Sequence, residues 1–178
     1  LGGSIGLMAL TRPVDALIVL IPLLWDLFPS ERRRAKWAAI REHWRHLLYA
    51  ACCALLPMLP QMLYWKVTTG HWVFYSYKDE GFDFAHPHIL EGLFGFRKGW
   101  FVYSPLVLLG FLGLHLQLRT PRTFGQALPL VIYFPIFWWV VFSWYQWWYG
   151  GGFGCRPLVG SLALLALRDV QEALDEVR

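Results

Sequence analysis

The sequence predicts an all-α membrane protein: a polytopic bundle of about five transmembrane spans or part-spans, with one long loop outside the membrane at residues 66–102. Hydrophobic residues make up 57% of the chain and charged residues only 16%, which lies outside the range of ordinary soluble domains. The apolar residues come in blocks rather than at the spacing of an amphipathic helix. Between these blocks, the polar segment Lys66–Ser104 is rich in aromatic residues, which favours a folded loop at a membrane surface over a disordered linker.

The first apolar block, Leu1–Leu10, is typical of the end of a transmembrane helix. Its small residues would let another helix approach closely; they are Gly2, Gly3, Ser4 and Gly6. Proline disfavours helix at the residue before it, so the sequence Thr11-Arg12-Pro13 predicts a break. Arg12 lies at the edge of apolar sequence and therefore needs a partner, and we expect Asp15 to be that partner.

The next span is predicted at Val14–Phe28, which is short against the roughly 20 residues that a bilayer requires. A basic segment follows, and Ala35–Trp44 within it is predicted to form an interfacial helix with Trp37 and Trp44 facing lipid. Leu47–Trp65 is a clear span. Its two prolines are expected to kink it; they are Pro57 and Pro60.

Three further apolar blocks follow the polar segment. Spans are predicted at Tyr103–Leu118 and from Ala127 to about Tyr145, and Leu158–Leu167 is a part-span. Residues 1–167 thus form the transmembrane region, and residues 168–178 form a polar amphipathic tail. Within the external loop, the apolar spacing predicts a short interfacial helix in Pro87–Phe96 and no β-domain.

The distribution of basic residues predicts the orientation. Alternate crossings place ten of the sixteen Lys and Arg residues on one side, including those from Arg32 to Arg45, and six on the other. The positive-inside rule makes the richer side cytoplasmic. The polar segment Lys66–Trp100 is therefore predicted to be periplasmic, in the inner (cytoplasmic) membrane of a bacterium.

Several functional classes receive little support from the sequence. The net charge is +4, and six of the sixteen Lys and Arg residues lie in one cluster directly after an apolar run, which indicates membrane lipid rather than nucleic acid as a partner. The three cysteines do not have the spacing of a disulfide framework or a thiolate metal site. The external loop has the ligand types for a divalent metal, but the spacing matches no metal motif, and no cofactor is expected; these residues are His71, His86, His88, Asp79, Glu80 and Asp83.

Five motifs occur in a distinctive order: GLMALTRPVDALI, PQMLYWKVTTGHW, YSY, LFGFRKGWFVYSPLVLLGFLGL and WYGGGFGCRPLV. In this order they resemble the later transmembrane half of bacterial GT-C-type glycosyltransferases of the ArnT and protein-mannosyltransferase-like superfamily. The resemblance implies transfer of a sugar from a polyprenyl phosphate to an acceptor at the periplasmic face. The catalytic acidic residues of that family lie in the first external loop, so we expect this chain to be the later part of a longer protein and inactive alone. No catalytic residue is assigned to it.

Four outer-face cations are candidates for holding the donor phosphate: Arg156, Lys98, Arg97 and Lys66. Arg156 follows a glycine run, whose backbone can approach a phosphate closely, and a guanidinium binds phosphate through two hydrogen bonds. Each cation could equally be an interfacial anchor. Aromatic side chains are predicted to border the path of the sugar and acceptor; they are Trp72, Tyr75, Tyr77 and Trp148.

Two other functional classes remain open. Proline-broken helices and charges near the membrane also occur in transporters, so the chain could be half of a transporter or flippase. It could also be a non-catalytic membrane scaffold. The aromatic, glycine-hinged external loop favours the enzyme, because sugar rings stack on aromatics and transporters place their polar groups near the midplane.

Overall fold

The described part of the protein is mainly helical. The structure, a computed structural model, describes residues 2–25, 27, 30–75, 77, 80–121, 123–152 and 154–165, with the backbone alone at Ser30 and Glu31. Every regular element in these ranges is a helix, and none is a β-strand. The predicted all-α class is therefore confirmed. The chain divides into two compact units, Leu1–Glu80 and Gly81–Arg178.

The first unit contains α1 (Gly2–Thr11), a 3-10 helix (Pro13–Val19) that runs into α2 (Leu20–Leu24), and the helices α3 (Ser30–Glu42), α4 (Trp44–Leu55) and α5 (Met58–Thr69). The second unit contains α6 (Ile89–Phe94), α7 (Trp100–Tyr103), α8 (Val107–Arg119), α9 (Phe124–Phe142) and a second 3-10 helix (Arg156–Ser161).

Helix α1 packs against α4 through glycine, as the small residues predicted. Gly2 and Gly6 are buried, and a Cβ atom built on either would collide with the backbone of Ala50 or Ala54, respectively. Gly3 has more room, since its nearest neighbour would be the carbonyl oxygen of Cys53 at 3.9 Å. Two glycines spaced by one helical turn thus set the distance between these helices.

The break after α1 also follows the prediction. Arg12 has an extended backbone (φ −151°, ψ 104°), and Pro13 begins the 3-10 helix. The guanidinium of Arg12 lies 3.8 Å from the carboxylate of Asp15, which confirms the expected ion pair. The predicted span Val14–Phe28 is wrong in extent: the helical segment is Pro13–Leu24, and its first part has the tighter 3-10 winding. Asp26, Phe28 and Pro29 lie outside the described residues.

The helix predicted at Ala35–Trp44 has different bounds in the structure. It begins at Ser30 and ends at Glu42, because the backbone of His43 leaves the helical conformation and Trp44 begins α4. Both Trp37 and Trp44 are more than half exposed. The following predicted span is interrupted at Pro57, which lies in the turn between α4 and α5; the kink itself stays a prediction. Pro60 lies in the first turn of α5, where a missing N–H is tolerated.

The second unit is built on α8 and α9. Their buried positions recur every three or four residues, which places them on one face of each helix; in α8 they are Val107, Gly110, Leu114 and Gln117. The core is aromatic: the rings of Phe111 and Phe134 lie 4.8 Å apart, and Trp100 and Trp138 pack around them. Trp100 is only 2% exposed, so α7 is anchored on this core.

Several predicted bounds in the second unit are corrected. The predicted span Tyr103–Leu118 is interrupted after Tyr103, and α8 begins at Val107 because Pro105 follows a non-helical Ser104. The predicted span at Ala127–Tyr145 begins and ends earlier, at Phe124 and Phe142. The part-span at Leu158–Leu167 is helical to Leu165, first as a 3-10 helix, and residues 166–178 lie outside the described residues.

The polar segment has the secondary structure that was predicted for it. The short helix expected in Pro87–Phe96 is confirmed as α6 (Ile89–Phe94). The described residues of Lys66–Trp100 form no β-domain. Their β-structure is limited to a single isolated bridge between Phe82 and Trp144. The segment is divided between the two compact units, after Glu80.

Two stretches are long and apolar enough to cross a membrane, judged by length and composition within the described residues. One is Trp44–Thr69, which contains α4 and α5, and the other is α9. The other apolar helices have between 10 and 17 residues, which is short against the roughly 20 that a span requires. Membrane association is therefore supported weakly, and the number of spans stays a prediction.

Candidate anion-binding site

A tight turn carries two of the predicted cations. This turn, here called the cationic turn, is Phe96–Gly99 and connects α6 with α7. The N–H of Gly99 donates to the carbonyl oxygen of Gly95 at 2.7 Å. A Cβ atom on Gly99 would lie only 2.5 Å from that oxygen, so glycine is required to close the turn.

Lys98 is the most unusual cation of the described chain. The residue is 9% exposed, although lysine is almost never this buried unless it is paired. Among the described residues its Nζ has no hydrogen-bond or ion-pair partner. The side chain is thus enclosed by its neighbours while its Nζ keeps its donors for another group, so this position favours a bound anion.

Arg97 lies beside Lys98 but is exposed. Its guanidinium lies 4.1 Å from the centre of the Trp148 ring, a close cation–π contact that orients it. One face of Trp148 is therefore occupied by Arg97. A sugar ring in the predicted contact with Trp148 would have to use the other face or the edge of the indole.

Trp148 belongs to a second turn, here called the aromatic-glycine turn (residues 144–152 and 154). Its backbone is left-handed at Tyr149, Gly150 and Gly154, with φ of 50°, 75° and 59°. Glycine adopts this conformation without strain, whereas at Tyr149 it costs of order 1–3 kcal/mol. The Tyr149 hydroxyl donates to the carbonyl oxygen of Val141 at 2.7 Å, which ties the strained residue to the end of α9.

The two turns are in contact with each other. The hydroxyl of Tyr103 donates to the carbonyl oxygen of Phe96 at 2.6 Å, and the Cβ of Tyr103 lies beside Gly154, 3.7 Å from where a Cβ on that glycine would be. Arg156, exposed at the start of the second 3-10 helix, lies over Gly152, with its Cδ 3.3 Å from the position of a Cβ there. Two predicted cations, Arg97 and Lys98, therefore lie on one of two contacting turns, and Arg156 lies against the other.

The loop at residues 81–88 is packed against the same end of α9. The N–H of Asp83 donates to Ser143 O at 2.7 Å and the N–H of His88 to Phe142 O at 3.0 Å. The His88 ring stacks on Trp147, with 5.4 Å between centroids. His88 thus makes structural contacts in this loop. No group of three side chains that could hold a metal ion occurs among the described residues. Asp79 lies outside them.

Asp83 organises the tip of this loop. Its carboxylate lies 3.1 Å from Nδ1 of His86 and accepts hydrogen bonds from the N–H groups of Ala85 and His86 at 3.0 and 3.2 Å. The hydrogen bond from the His86 side chain, assisted by those from the backbone, lowers the pKa of Asp83 below its ordinary value.

The other predicted site residues belong to the first unit. Lys66 Nζ donates to the carbonyl oxygen of Gly70 at 2.8 Å and lies 5.6 Å from the centre of the Trp72 ring. It thus caps the end of α5, where Gly70 is left-handed. Tyr75 and Tyr77 lie next to each other, with 5.9 Å between ring centroids, and both are more than half exposed.

One buried donor was not predicted from the sequence. The indole N–H of Trp138 is buried without an acceptor among the described residues, which is rare for buried polar groups. Its ring packs on Trp100, two residues after Lys98. In the sequence, Trp138 is one of many aromatic residues in an apolar helix, and nothing distinguishes it.

Comparison with protein-family models, curated proteins and solved structures gives no match to this chain.

Proposed function

We propose that the chain is part of an integral-membrane glycosyltransferase that takes a sugar from a polyprenyl phosphate donor, with the donor phosphate held by the two contacting turns of the second unit. The single observation that carries the proposal is Lys98, a buried lysine residue whose Nζ has no partner among the described residues. An anion would supply the missing partner. The resemblance to the GT-C superfamily supplies the class of anion.

The chemistry of transfer requires such a site. As the glycosidic bond breaks, negative charge develops on the leaving phosphate, and fixed cations in a partly dry environment stabilise that charge. Lys98 is fixed by burial and Arg97 by its contact with Trp148. Arg156 would add the guanidinium that binds phosphate through two hydrogen bonds. The catalytic acid or base would come from outside this chain.

The proposal includes a setting. The enzyme would lie in the inner membrane of a bacterium with about five spans or part-spans, and the two turns would open on the periplasmic side. A half-transporter and a non-catalytic scaffold are the alternatives. A transporter would need polar groups near the midplane of its spans, whereas Lys98 lies in a turn between two short helices.

Phosphate binding can be measured on the purified chain with a polyprenyl phosphate as the probe. We expect Lys98→Met and Arg156→Ala each to weaken binding by about tenfold or more, because each removes a charge-assisted hydrogen bond. Lys66→Met is the matched control: it also removes one lysine charge, but Lys66 caps α5. Equal affinity of Lys98→Met and the unaltered chain would refute the proposed site. Equal losses in Lys98→Met and Lys66→Met would indicate unspecific attraction to an anionic lipid.

The Arg156→Ala substitution also tests the proposed transferase activity when it is made in the full-length protein. Arg156→Ala should lower turnover by about one to three orders of magnitude with normal membrane insertion. Arg156→Lys should restore only part of it, since lysine cannot form the paired hydrogen bonds. Full activity in an inserted Arg156→Ala protein would assign Arg156 to lipid anchoring.

A further inference from the structure

Four aromatic side chains lie together at the end of α9, and the proposed glycosyl transfer does not use them. This group, here called the ring cluster, consists of Phe82, Phe84, Trp139 and Trp144. The rings of Phe82 and Phe84 stack with 5.2 Å between centroids and an interplanar angle of 2°. The ring of Trp144 lies 4.9 Å from Phe82, and that of Trp139 lies 4.9 Å from Phe84. The four rings thus form one continuous group within the second unit.

Hydrogen bonds fix the ring cluster to the end of α9. The isolated bridge described above joins the loop at residues 81–88 to the chain just after the helix, and the N–H of Tyr145 donates to Gly81 O at 2.9 Å. The indole N–H of Trp139 donates to the carbonyl oxygen of Phe84 at 3.3 Å. The rings are therefore ordered before they contact a partner, so little conformational entropy is lost on contact.

Three rings of the cluster present apolar surface. Phe82, Phe84 and Trp139 are 41%, 45% and 42% exposed, respectively. They lie side by side rather than singly, and contiguous exposed apolar patches mark contact sites for proteins or membranes. Since the Trp139 N–H already donates within the chain, the patch offers aromatic surface rather than hydrogen-bond donors.

The position of the ring cluster favours a membrane surface as its partner. α9 is long and apolar enough to cross a membrane, and Pro135 is exposed one turn before Trp139, on the side of the helix opposite its buried positions. Beyond the rings, the loop carries the exposed ionisable pair of Asp83 and His86. The exposed surface thus changes from apolar on α9 to aromatic at its end and to ionisable at the loop tip. A bilayer interface has the same order, with aromatic side chains between hydrocarbon and water.

We propose that the ring cluster lies in the bilayer interface, at the boundary of headgroups and acyl chains, and holds the end of α9 at that depth. Its contacts with lipid are apolar, so a headgroup without net charge is sufficient. The proposal needs α9 in a membrane but no sugar donor. The ring cluster shares no residue with the cationic turn, so each proposal can fail without the other.

The test uses the full chain in phosphatidylcholine bilayers, with a nitroxide on an Ala85→Cys variant that lacks the native cysteines. Ala85 is exposed next to Phe84. The measured quantity is the relaxation of the nitroxide by oxygen, which concentrates in hydrocarbon, relative to its relaxation by a water-soluble nickel chelate. We expect this ratio to be several times that of free labelled cysteine in water. Phe84→Ser should lower the ratio towards the value in water, because the loop loses apolar contact with lipid.

Two control variants accompany this measurement. Phe96→Ser is the matched control, since Phe96 is a more exposed phenylalanine that lies in the cationic turn, outside the ring cluster. Lys98→Met alters the proposed donor site. Both should leave the ratio unchanged, and circular dichroism checks that every variant remains helical.

Three outcomes would overturn the proposal. The first is a ratio in the Ala85→Cys chain equal to that in water, and the second is an equal effect of Phe84→Ser and Phe96→Ser. The third is protection of the label from both reagents, which would show that protein, such as a second copy of the chain, covers the ring cluster.

Discussion

At the scale of single residues, burial separates cations that look alike in the sequence. Lys66 and Lys98 are both lysines next to helix ends, and both were candidates for the donor phosphate. Lys66 donates to Gly70 O at the end of its own helix. Lys98 is buried, and within the described residues it has no acceptor. The two positions therefore differ in what they can still bind, because the Lys66 ammonium already donates within the chain.

The contact between Asp83 and His86 gives a prediction of pH dependence. Because the folded-state pKa of Asp83 lies below its ordinary value, the contact stabilises the loop above that ordinary value, and the stabilisation is lost as the pH falls through the folded-state pKa. We expect His86→Ala to raise the pKa of Asp83, since the His86 side chain is the largest cause of the lowering. Carboxyl NMR shifts of labelled Asp83 measure it.

His71→Ala is the control for that experiment, because it removes a histidine outside the Asp83 contact. It should leave the titration of Asp83 unchanged. A pKa of Asp83 that is the same with and without His86 would contradict the assignment.

At the scale of elements, glycine spacing sets how closely α1 approaches α4. We expect Gly6→Ala to destabilise the fold by about 1–3 kcal/mol, because the new Cβ would overlap the backbone of Ala54, which cannot move aside like a side chain. The free energy of unfolding in detergent measures the effect.

Gly3→Ala is the matched control in the same helix. The Cβ there would have 3.9 Å to its nearest neighbour, and alanine has the higher helix propensity, so this variant should be neutral or slightly more stable. Equal losses of stability in both variants would show that the glycines act through something other than contact with α4.

At the scale of the whole molecule, the charge distribution predicts which loops lie on which side of the membrane. Arg32–Arg45 should be cytoplasmic and Lys66–Trp100 periplasmic. In a background without Cys52, Cys53 and Cys155, an impermeant thiol reagent should label a cysteine at position 79 in intact cells but not one at position 34. The physical reason is that basic loops are retained on the cytoplasmic side. Labelling at position 34 but not at position 79 would invert the topology.

Permeabilised cells provide the control for that measurement. Both positions should react once the membrane is opened, which shows that a lack of labelling in intact cells reflects sidedness and not burial of the thiol.

The sequence by itself determined the features that depend on local chemistry. Composition gave the all-helical class, Pro13 and Pro57 gave breaks, and the i, i+3 spacing gave the ion pair of Arg12 with Asp15. The short helix α6 was found because its apolar spacing is visible within a few residues. Span lengths were less accurate, since hydrophobicity does not distinguish a continuous helix from a 3-10 segment or from a chain interrupted at Ser104.

Only the tertiary structure decided which polar side chains are still free to bind. Arg97 stacks on Trp148, and Lys36 donates to three carbonyl oxygens; these contacts join residues that are distant in the chain. The burial of Lys98 depends on the exact course of the backbone. The same holds for the indole N–H of Trp138, which has no acceptor among the described residues. Desolvation and hydrogen-bond geometry depend on all the neighbours of a group in space, and a linear pattern contains only the neighbours along the chain.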